Sequence, residues 1–202
     1  MSAITAPTGR RARRWRIPII WWLLLATFLI AWLLVSLYGR GNFVATSTLL
    51  NIVERATALG IVAVGQTFTI LVGSLDLSVA YLISVTAVMA SFIMQGDPSR
   101  VPLALVVVTA IGLTVGLLNG LLVTKARINP LIATLGMGLI LRGLLNASFQ
   151  NFAGSVPESF QVLAYGSIGP IPVPLLLFAA VVAAGALVLA RTRFGAHVYA
   201  VG

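Results

Sequence analysis

The chain has 202 residues, 59% hydrophobic and 8% charged, whereas a soluble domain carries about 25% charged residues, so an all-α, polytopic transmembrane helical bundle is the class that fits. Its formal charge of +9 taken alone suits nucleic acid, but five arginines fall between Arg10 and Arg16, directly before an apolar segment, which is the placement of a membrane topology signal. No cysteine is present, which excludes disulfides, thiolate metal sites and cysteine nucleophiles; no nucleic-acid partner, metal or cofactor is expected.

Taken in order, residues 1–16 read as a basic cytoplasmic N-terminus. The first apolar segment, Ile17–Tyr38, exceeds the roughly 7–15 residues of a signal-peptide core and has no convincing cleavage site after it. It reads as a retained transmembrane helix, anchored at the interfaces by Trp15, Trp21, Trp22 and Tyr38. A short external connection, Gly39–Thr48, leads to segment two, Leu49–Val72, with Glu54 and Arg55 in its first turns near the head groups. Segment three covers Leu77–Met94, and Gln95–Arg100 turns the chain on Gly96 and Pro98.

Segment four, Val101–Thr124, carries Gly112, Gly116 and Gly120 at four-residue spacing, a small face suited to close helix packing. A basic loop with Lys125 and Arg127 precedes segment five, Pro130–Phe149. A polar loop covers 150–170, and segment six, Ile171–Ala190, ends in Arg191-Thr192-Arg193. Lysine and arginine concentrate on the side of the N-terminus, leaving Arg40 and Arg100 opposite, as the positive-inside rule requires for six crossings of the region 17–190.

The chain is organised around a gap between segments two and three, Gly73-Ser74-Leu75-Asp76-Leu77-Ser78. An Asp at a bilayer centre costs about 2.5–3.5 kcal/mol on insertion scales, and a broken helix is tolerated in a membrane only beside protein or water. The stretch therefore reads as a break that lines a pathway, with its depth in the membrane left open. Asp76 has compatible roles: lining or gating the pathway, or fixing the break by accepting backbone N–H bonds, and capping a helix that starts at Leu77, with Ser78 sharing the task.

Arg142, about 18 Å along segment five from Pro130, should sit near the midplane and face protein or water. Either Asp76 or backbone carbonyls freed near Gly136, Gly138 or Gly143 are its expected partners. Gln66, Asn119, Thr134 and Asn146 are neutral polar groups at membrane depth, suited to inter-helix hydrogen bonds or to ligand contact. His197 reads as an interfacial polar residue. The four acids Glu54, Asp76, Asp97 and Glu158 are scattered, so neither paired acid–base catalysis nor a metal cluster has support, and no phosphate-binding loop is present.

Three stretches together resemble one known family. Gly73-Ser74-Leu75-Asp76-Leu77-Ser78-Val79 is similar to the G-G-I-D-L-S-V signature of sugar-type permeases of ATP-binding-cassette importers. Asn119-Gly120, Pro130-Leu131-Ile132-Ala133-Thr134-Leu135-Gly136 and Arg142-Gly143 look like that family's N-G and P-x-I-A-T-L-G…R-G pattern. Thr192-Arg193-Phe194-Gly195 with Val198-Tyr199-Ala200-Val201-Gly202 is similar to its cytoplasmic T-x-F-G-x-x-V-Y-A-x-G segment. Order and spacing agree from Asn51 onward. Ser74 and Ala80 stand where the family usually has glycine, which bears on local backbone geometry, and Ala196-His197 replace residues that are often basic.

The resemblance implies a permease of the bacterial inner membrane that imports ribose, xylose, galactose or a related monosaccharide. It implies three partners: an ATP-hydrolysing subunit, an extracytoplasmic sugar-binding protein and a second permease copy. Gln66, Gly73, Ser74, Asp76, Ser78, Asn119, Thr134 and Arg142 are then the pathway and break residues. Arg191, Arg193, Phe194, Gly195 and Tyr199 would dock the ATPase in a cytoplasmic coupling segment that starts at 191 and is incomplete at 202, because family members continue past Gly202 with several more helices. A secondary transporter or channel and a non-transporting remnant are the other readings, and no catalytic constellation supports an enzyme.

Overall fold

The computed structural model describes residues 19–39, 44–149 and 154–202. The basic head around Arg10–Arg16, together with Trp15, Arg40 and the start of the polar loop at 150–153, lies outside the described residues. The chain divides into two compact units, 1–49 and 50–202.

In the first unit, helix α1 (Ile19–Tyr38) is apolar throughout and buries no side chain. That pattern suits a helix whose solvent is lipid, since a helix that is hydrophobic all round needs an apolar surrounding on every face.

Seven more helices follow: α2 (Thr46–Leu71), α3 (Val79–Met94), α4 (Val101–Thr124), α5 (Pro130–Ser148), α6 (Glu158–Tyr165), α7 (Val173–Arg191) and α8 (Arg193–Val201). Five helices, α1, α2, α4, α5 and α7, are long and apolar enough to cross a membrane. The expectation of about six crossings meets one short member. α3 has 16 residues, about 24 Å at 1.5 Å per residue, less than a hydrocarbon core of about 30 Å. The break before it takes up the remaining length.

Local chemistry explains most boundaries. The Asn129 side chain accepts the Leu131 N–H at 2.9 Å and Pro130 occupies the first turn of α5, where its missing N–H costs nothing. Asp97 accepts the Ser99 N–H at 2.9 Å and so starts a 3₁₀ turn, Pro98–Arg100, that leads into α4. Thr192 accepts the Gly195 N–H at 3.1 Å and starts α8 immediately after α7 ends.

The loop expected across 150–170 is more ordered than its composition suggests. It holds α6, which packs on α7, and a hairpin of β1 (Ser167–Ile168) and β2 (Ile171–Pro172), antiparallel with Ile168 opposite Ile171. Gly169 turns the hairpin with φ +60° before Pro170, a backbone suited to glycine at the first central position of a two-residue turn.

Two groups of helices make the second unit. α3 packs against α4 and α5, burying Met94, Ala104, Val115, Ala133 and Leu141. α7 packs along α2, where a methyl added at Gly60 would meet the Phe178 ring at 2.7 Å. Gly185 lies beside Val64 and Phe68, so α2 and α7 run in the same direction. The buried core is small and most leucines and isoleucines are exposed, as expected where lipid rather than protein covers the apolar surface.

The glycine face of α4 departs from its expected role. A methyl at Gly112, Gly116 or Gly120 would meet nothing within 4 Å, so among the described residues no helix packs closely there. α4 uses its Ala104, Val115 and Asn119 face instead.

Candidate functional site

The stretch between α2 and α3 is an ordered non-helical segment. α2 ends in a pair of reversed hydrogen bonds, Gly73 N–H to Ile70 at 3.0 Å and Ser74 N–H to Thr69 at 2.9 Å. With Gly73 at φ +71°, this is the Schellman termination that a left-handed residue permits. Ser74 has no positive φ, so a single glycine suffices and the serine is accommodated; Ala80 sits in ordinary helix.

From Leu75 to Ser78 the segment is held by side chains from three other elements. The Gln66 amide of α2 donates to the Asp76 carbonyl at 2.6 Å. Gln66 is itself held by Thr69, whose hydroxyl lies 2.9 Å from the Gln66 side-chain oxygen. The Leu77 N–H donates to the Thr134 hydroxyl of α5 at 3.0 Å. Thr134 in turn donates to the Pro130 carbonyl at 2.9 Å, in its own first turn.

Asp76 does not cap α3 from the N-cap position. The helix begins at Val79, and Ser78 is the flanking residue, without a side-chain cap of its own. Instead the Asp76 carboxylate accepts both the N–H of Ser78 at 2.8 Å and its hydroxyl at 2.6 Å. This local turn, two residues on, is the kind Asp favours. The Ser78 hydroxyl also accepts from the Asn119 amide of α4 at 3.0 Å. Donors therefore run in one direction, from Asn119 through Ser78 to the carboxylate. The Asn119 Oδ1 is buried and has no partner among the described residues.

These contacts set the depth that hydropathy left open. Thr134 lies four residues into α5 and Asn119 five before the end of α4, so the break sits about 6–8 Å inside the end of the bundle. Gly138, one turn deeper, packs against Ser78 and Tyr81.

Gln66, Asp76, Ser78, Asn119 and Thr134 thus converge, with Gly73 supplying the reversal. The Ser74 side chain makes no hydrogen bond among the described residues. Arg142 stands apart. It forms no ion pair with Asp76 among the described residues. α5 is continuous from Pro130 to Ser148, so no break near Gly136, Gly138 or Gly143 frees carbonyls for it. Its guanidinium lies 5.9 Å from the Tyr81 ring centroid of α3, a cation–π contact. Tyr81 and Thr69 were missed in the sequence: Thr69 stands three residues from Gln66 on one helix face, a readable signal, whereas the Tyr81 pairing needs the α3–α5 packing.

Asp76, Gln66 and Thr69 also face an open groove of about 270 Å³ along α2, with Gly65 and Val62 on its wall. Its polar groups are acceptors and donors without a metal-binding set; among the described residues no three His, Asp or Glu side chains come together.

The expected docking residues form a second cluster at the same end. Gly195 packs so closely on the Leu189 backbone that a side chain has no room, and Val198 is buried beside it. Arg191, Arg193, Phe194 and Tyr199 remain exposed. Phe194 stacks on Phe68 of α2 with ring centroids 6.3 Å apart, and Gly202 lies against the Leu71 backbone. α8 therefore rests on the last turn of α2, where the break begins.

Comparison with known proteins shows the family. The family described as "Branched-chain amino acid transport system / permease component" matches residues 48–202, most of the chain. The chain belongs to that permease family. Within it, this permease chain is 33% identical over 168 residues to the ribose import permease protein RbsC of Escherichia coli K12, covering 80% of this chain and 51% of that protein. It is 35% identical over 154 residues to the autoinducer 2 import system permease protein LsrD of Enterobacter sp. strain 638, covering 71% of this chain and 46% of that one. LsrD of Yersinia pseudotuberculosis matches at 30% over 190 residues, 90% of this chain and 56% of the relative. The permease chain thus spans about half the length of the curated relatives it matches. The resemblance to sugar-type importer permeases drawn from its motifs holds. No solved structure matches.

Proposed function

We propose that this chain is the membrane-spanning permease subunit of an ATP-binding-cassette importer of the bacterial inner membrane, carrying a monosaccharide or a similarly sized polyhydroxylated molecule. The observation that carries the reading is the break itself. A family permease chain presents Asp76, Gln66 and Thr69 to an open groove along α2, on a backbone segment held by α2, α4 and α5. The ribose and autoinducer-2 import permeases among its relatives favour a polyhydroxylated cargo over an amino acid.

The chain has no catalytic role in this scheme. A separate ATPase docks on the exposed Arg191, Arg193, Phe194 and Tyr199, with Gly195 seating α8 on α7, and hydrolyses ATP there. A second permease copy completes the pathway, and an extracytoplasmic sugar-binding protein delivers cargo at the opposite end. Lys125, Arg127, Arg191 and Arg193 all lie at the α8 end of the bundle, which supports a cytoplasmic orientation for that end and for the N-terminus. ATP binding shifts the balance of inward- and outward-open states by its differential affinity for them. Through Phe194 on Phe68 and Gly202 on Leu71, movement of α8 reaches the last turn of α2 and hence Gln66 and the break.

The test is reconstitution of the assembled transporter in proteoliposomes with its ATPase and binding protein. ATP-dependent uptake of labelled monosaccharide is the expected result. Uptake that persists without the ATPase assigns the chain to secondary transport instead.

A further inference from the structure

A second groove, of about 480 Å³, opens at the end of the bundle opposite α8, between α2, the last residues of α6 and the first turn of α7. Its volume lies in the range of about 300–1,000 Å³ usual for small-molecule sites. Asn51, Glu54 and Arg55 of α2 face Tyr165 of α6 across it, with Leu177 of α7 on the apolar side.

Two features separate this groove from ordinary surface. First, Glu54 and Arg55 have no ion pair or hydrogen bond among the described residues, although Glu54 is half-buried. Because α2 and α7 run together with Gly60 beside Phe178, Arg55 is level with the start of α7. α7 has 19 residues and spans about 28 Å, close to the hydrocarbon thickness. Glu54 and Arg55 therefore sit level with the water boundary of the membrane, at the end of the bundle where the binding protein would deliver cargo.

Second, this groove and the one at the break lie along the same helix. Asn51, Arg55 and Ala58 line the first groove, and Val62, Gly65 and Thr69 line the second. Their spacing alternates steps of four and three residues, so all six share one face of the unbroken helix α2. Gly60, Val64 and Phe68, which pack on α7, point roughly 140° away around the helix. One side of α2 is committed to packing on α7, and another side lines both grooves.

Resting on the permease reading above, we propose that the Asn51–Glu54–Arg55–Tyr165 groove is the first binding station of the pathway and takes a neutral, polyhydroxylated ligand of monosaccharide size. A carboxylate and an amide oxygen accept from sugar hydroxyls, the guanidinium and amide N–H groups donate to them, and the Tyr165 ring offers an apolar face to the sugar's C–H side. Glu54 and Arg55 are consecutive on a helix and diverge by about 100°, which suits hydroxyls spread around a ring better than the adjoining charges of an amino acid.

The test introduces single thiols by Asn51→Cys or Tyr165→Cys in the assembled transporter, with Ser99→Cys as a remote control, and follows maleimide labelling of this chain by gel shift. D-ribose, D-galactose and leucine are the probes, in lipid nanodiscs and in lipid-free detergent. A sugar is expected to slow labelling at 51 and 165 by on the order of tenfold at about ten times its Kd, to leave position 99 unchanged, and to lose this protection when Glu54→Gln or Arg55→Lys is added. Protection by leucine rather than by either sugar overturns the assigned chemistry. Protection that depends on phospholipid alone overturns it too. Labelling indifferent to every probe, in a complex that still takes up sugar with ATP, overturns the station while the permease reading stands. Absence of any ATP-driven uptake removes that reading, and the station with it.

Discussion

The Gln66 side-chain amide donates to the Asp76 carbonyl at 2.6 Å, across ten residues of chain. The bond ties the last turns of α2 to the extended stretch that follows the Gly73 reversal. It fastens the break to the same helix, α2, that carries Phe68 against α8. Gln66→Ala removes a hydrogen bond worth about 0.5–1.5 kcal/mol. ATP-driven uptake should fall several-fold at unchanged membrane abundance; full uptake at normal abundance would falsify this role.

Thr134 gives the Leu77 N–H its acceptor. Thr134→Val keeps the shape and leaves that N–H unpaired inside the bundle, at about 1–3 kcal/mol. The thermal midpoint of the purified complex should drop for Thr134→Val and stay near that of the parent for Thr134→Ser. Equal midpoints for the two variants would show that the bond does not hold the break.

Gly73 is at φ +71° and its neighbour Ser74 is not left-handed. Gly73→Ala should therefore cost about 1–2 kcal/mol, the left-handed penalty for a residue with a Cβ, whereas Ser74→Gly should change little. A chemical or thermal unfolding series on the two variants checks the contrast, and a larger loss for Ser74→Gly would refute the assigned turn.

Arg142 is paired with Tyr81 rather than with Asp76. A double-mutant cycle on Arg142 and Tyr81 should return a coupling of about 0.5–1 kcal/mol, and the cycle on Arg142 and Asp76 should return none. Measuring both in the same background distinguishes the ring contact from an ion pair.

Asp97, in the turn before α4, is held below its ordinary value of 3.8 chiefly by the Ser99 hydroxyl and N–H, with Arg100 adding a weaker pull. A depressed folded-state pKa contributes stability that is present above the ordinary value and is lost as pH falls through the lowered one. The protection factor of the Ser99 amide, its exchange rate relative to an unstructured peptide at the same pH, should therefore hold near neutral pH and fall as pH drops below about 4. In Asp97→Asn the acid-dependent step should disappear; an unchanged step would place its origin elsewhere.

Much of this architecture was legible in the residues. Apolar runs of membrane length marked α1, α2, α4, α5 and α7, because a bilayer demands that length whatever the packing. Gly73 and Asp76 marked the break, because both act on their own backbone within a few residues. The polar residues Gln66, Asn119, Thr134 and Asn146 were recognisable as a set by their scarcity in apolar helices, and Ser78 as a companion of Asp76. Their pairing was not. Thr134 meets Leu77 across 57 residues and Asn119 meets Ser78 across 41.

What the chain determined by itself was therefore local or solvent-driven: helix length, helix ends, and a glycine reversal next to an aspartate that binds the backbone two residues on. Only the tertiary structure decided the start of α3 at Val79, the depth of the break, the Tyr81 partner of Arg142, the empty glycine face of α4 and the groove at Glu54 and Arg55. Each of these depends on which helix faces which. In a membrane, apolar residues toward lipid and toward protein look alike, so hydropathy carries no record of that choice.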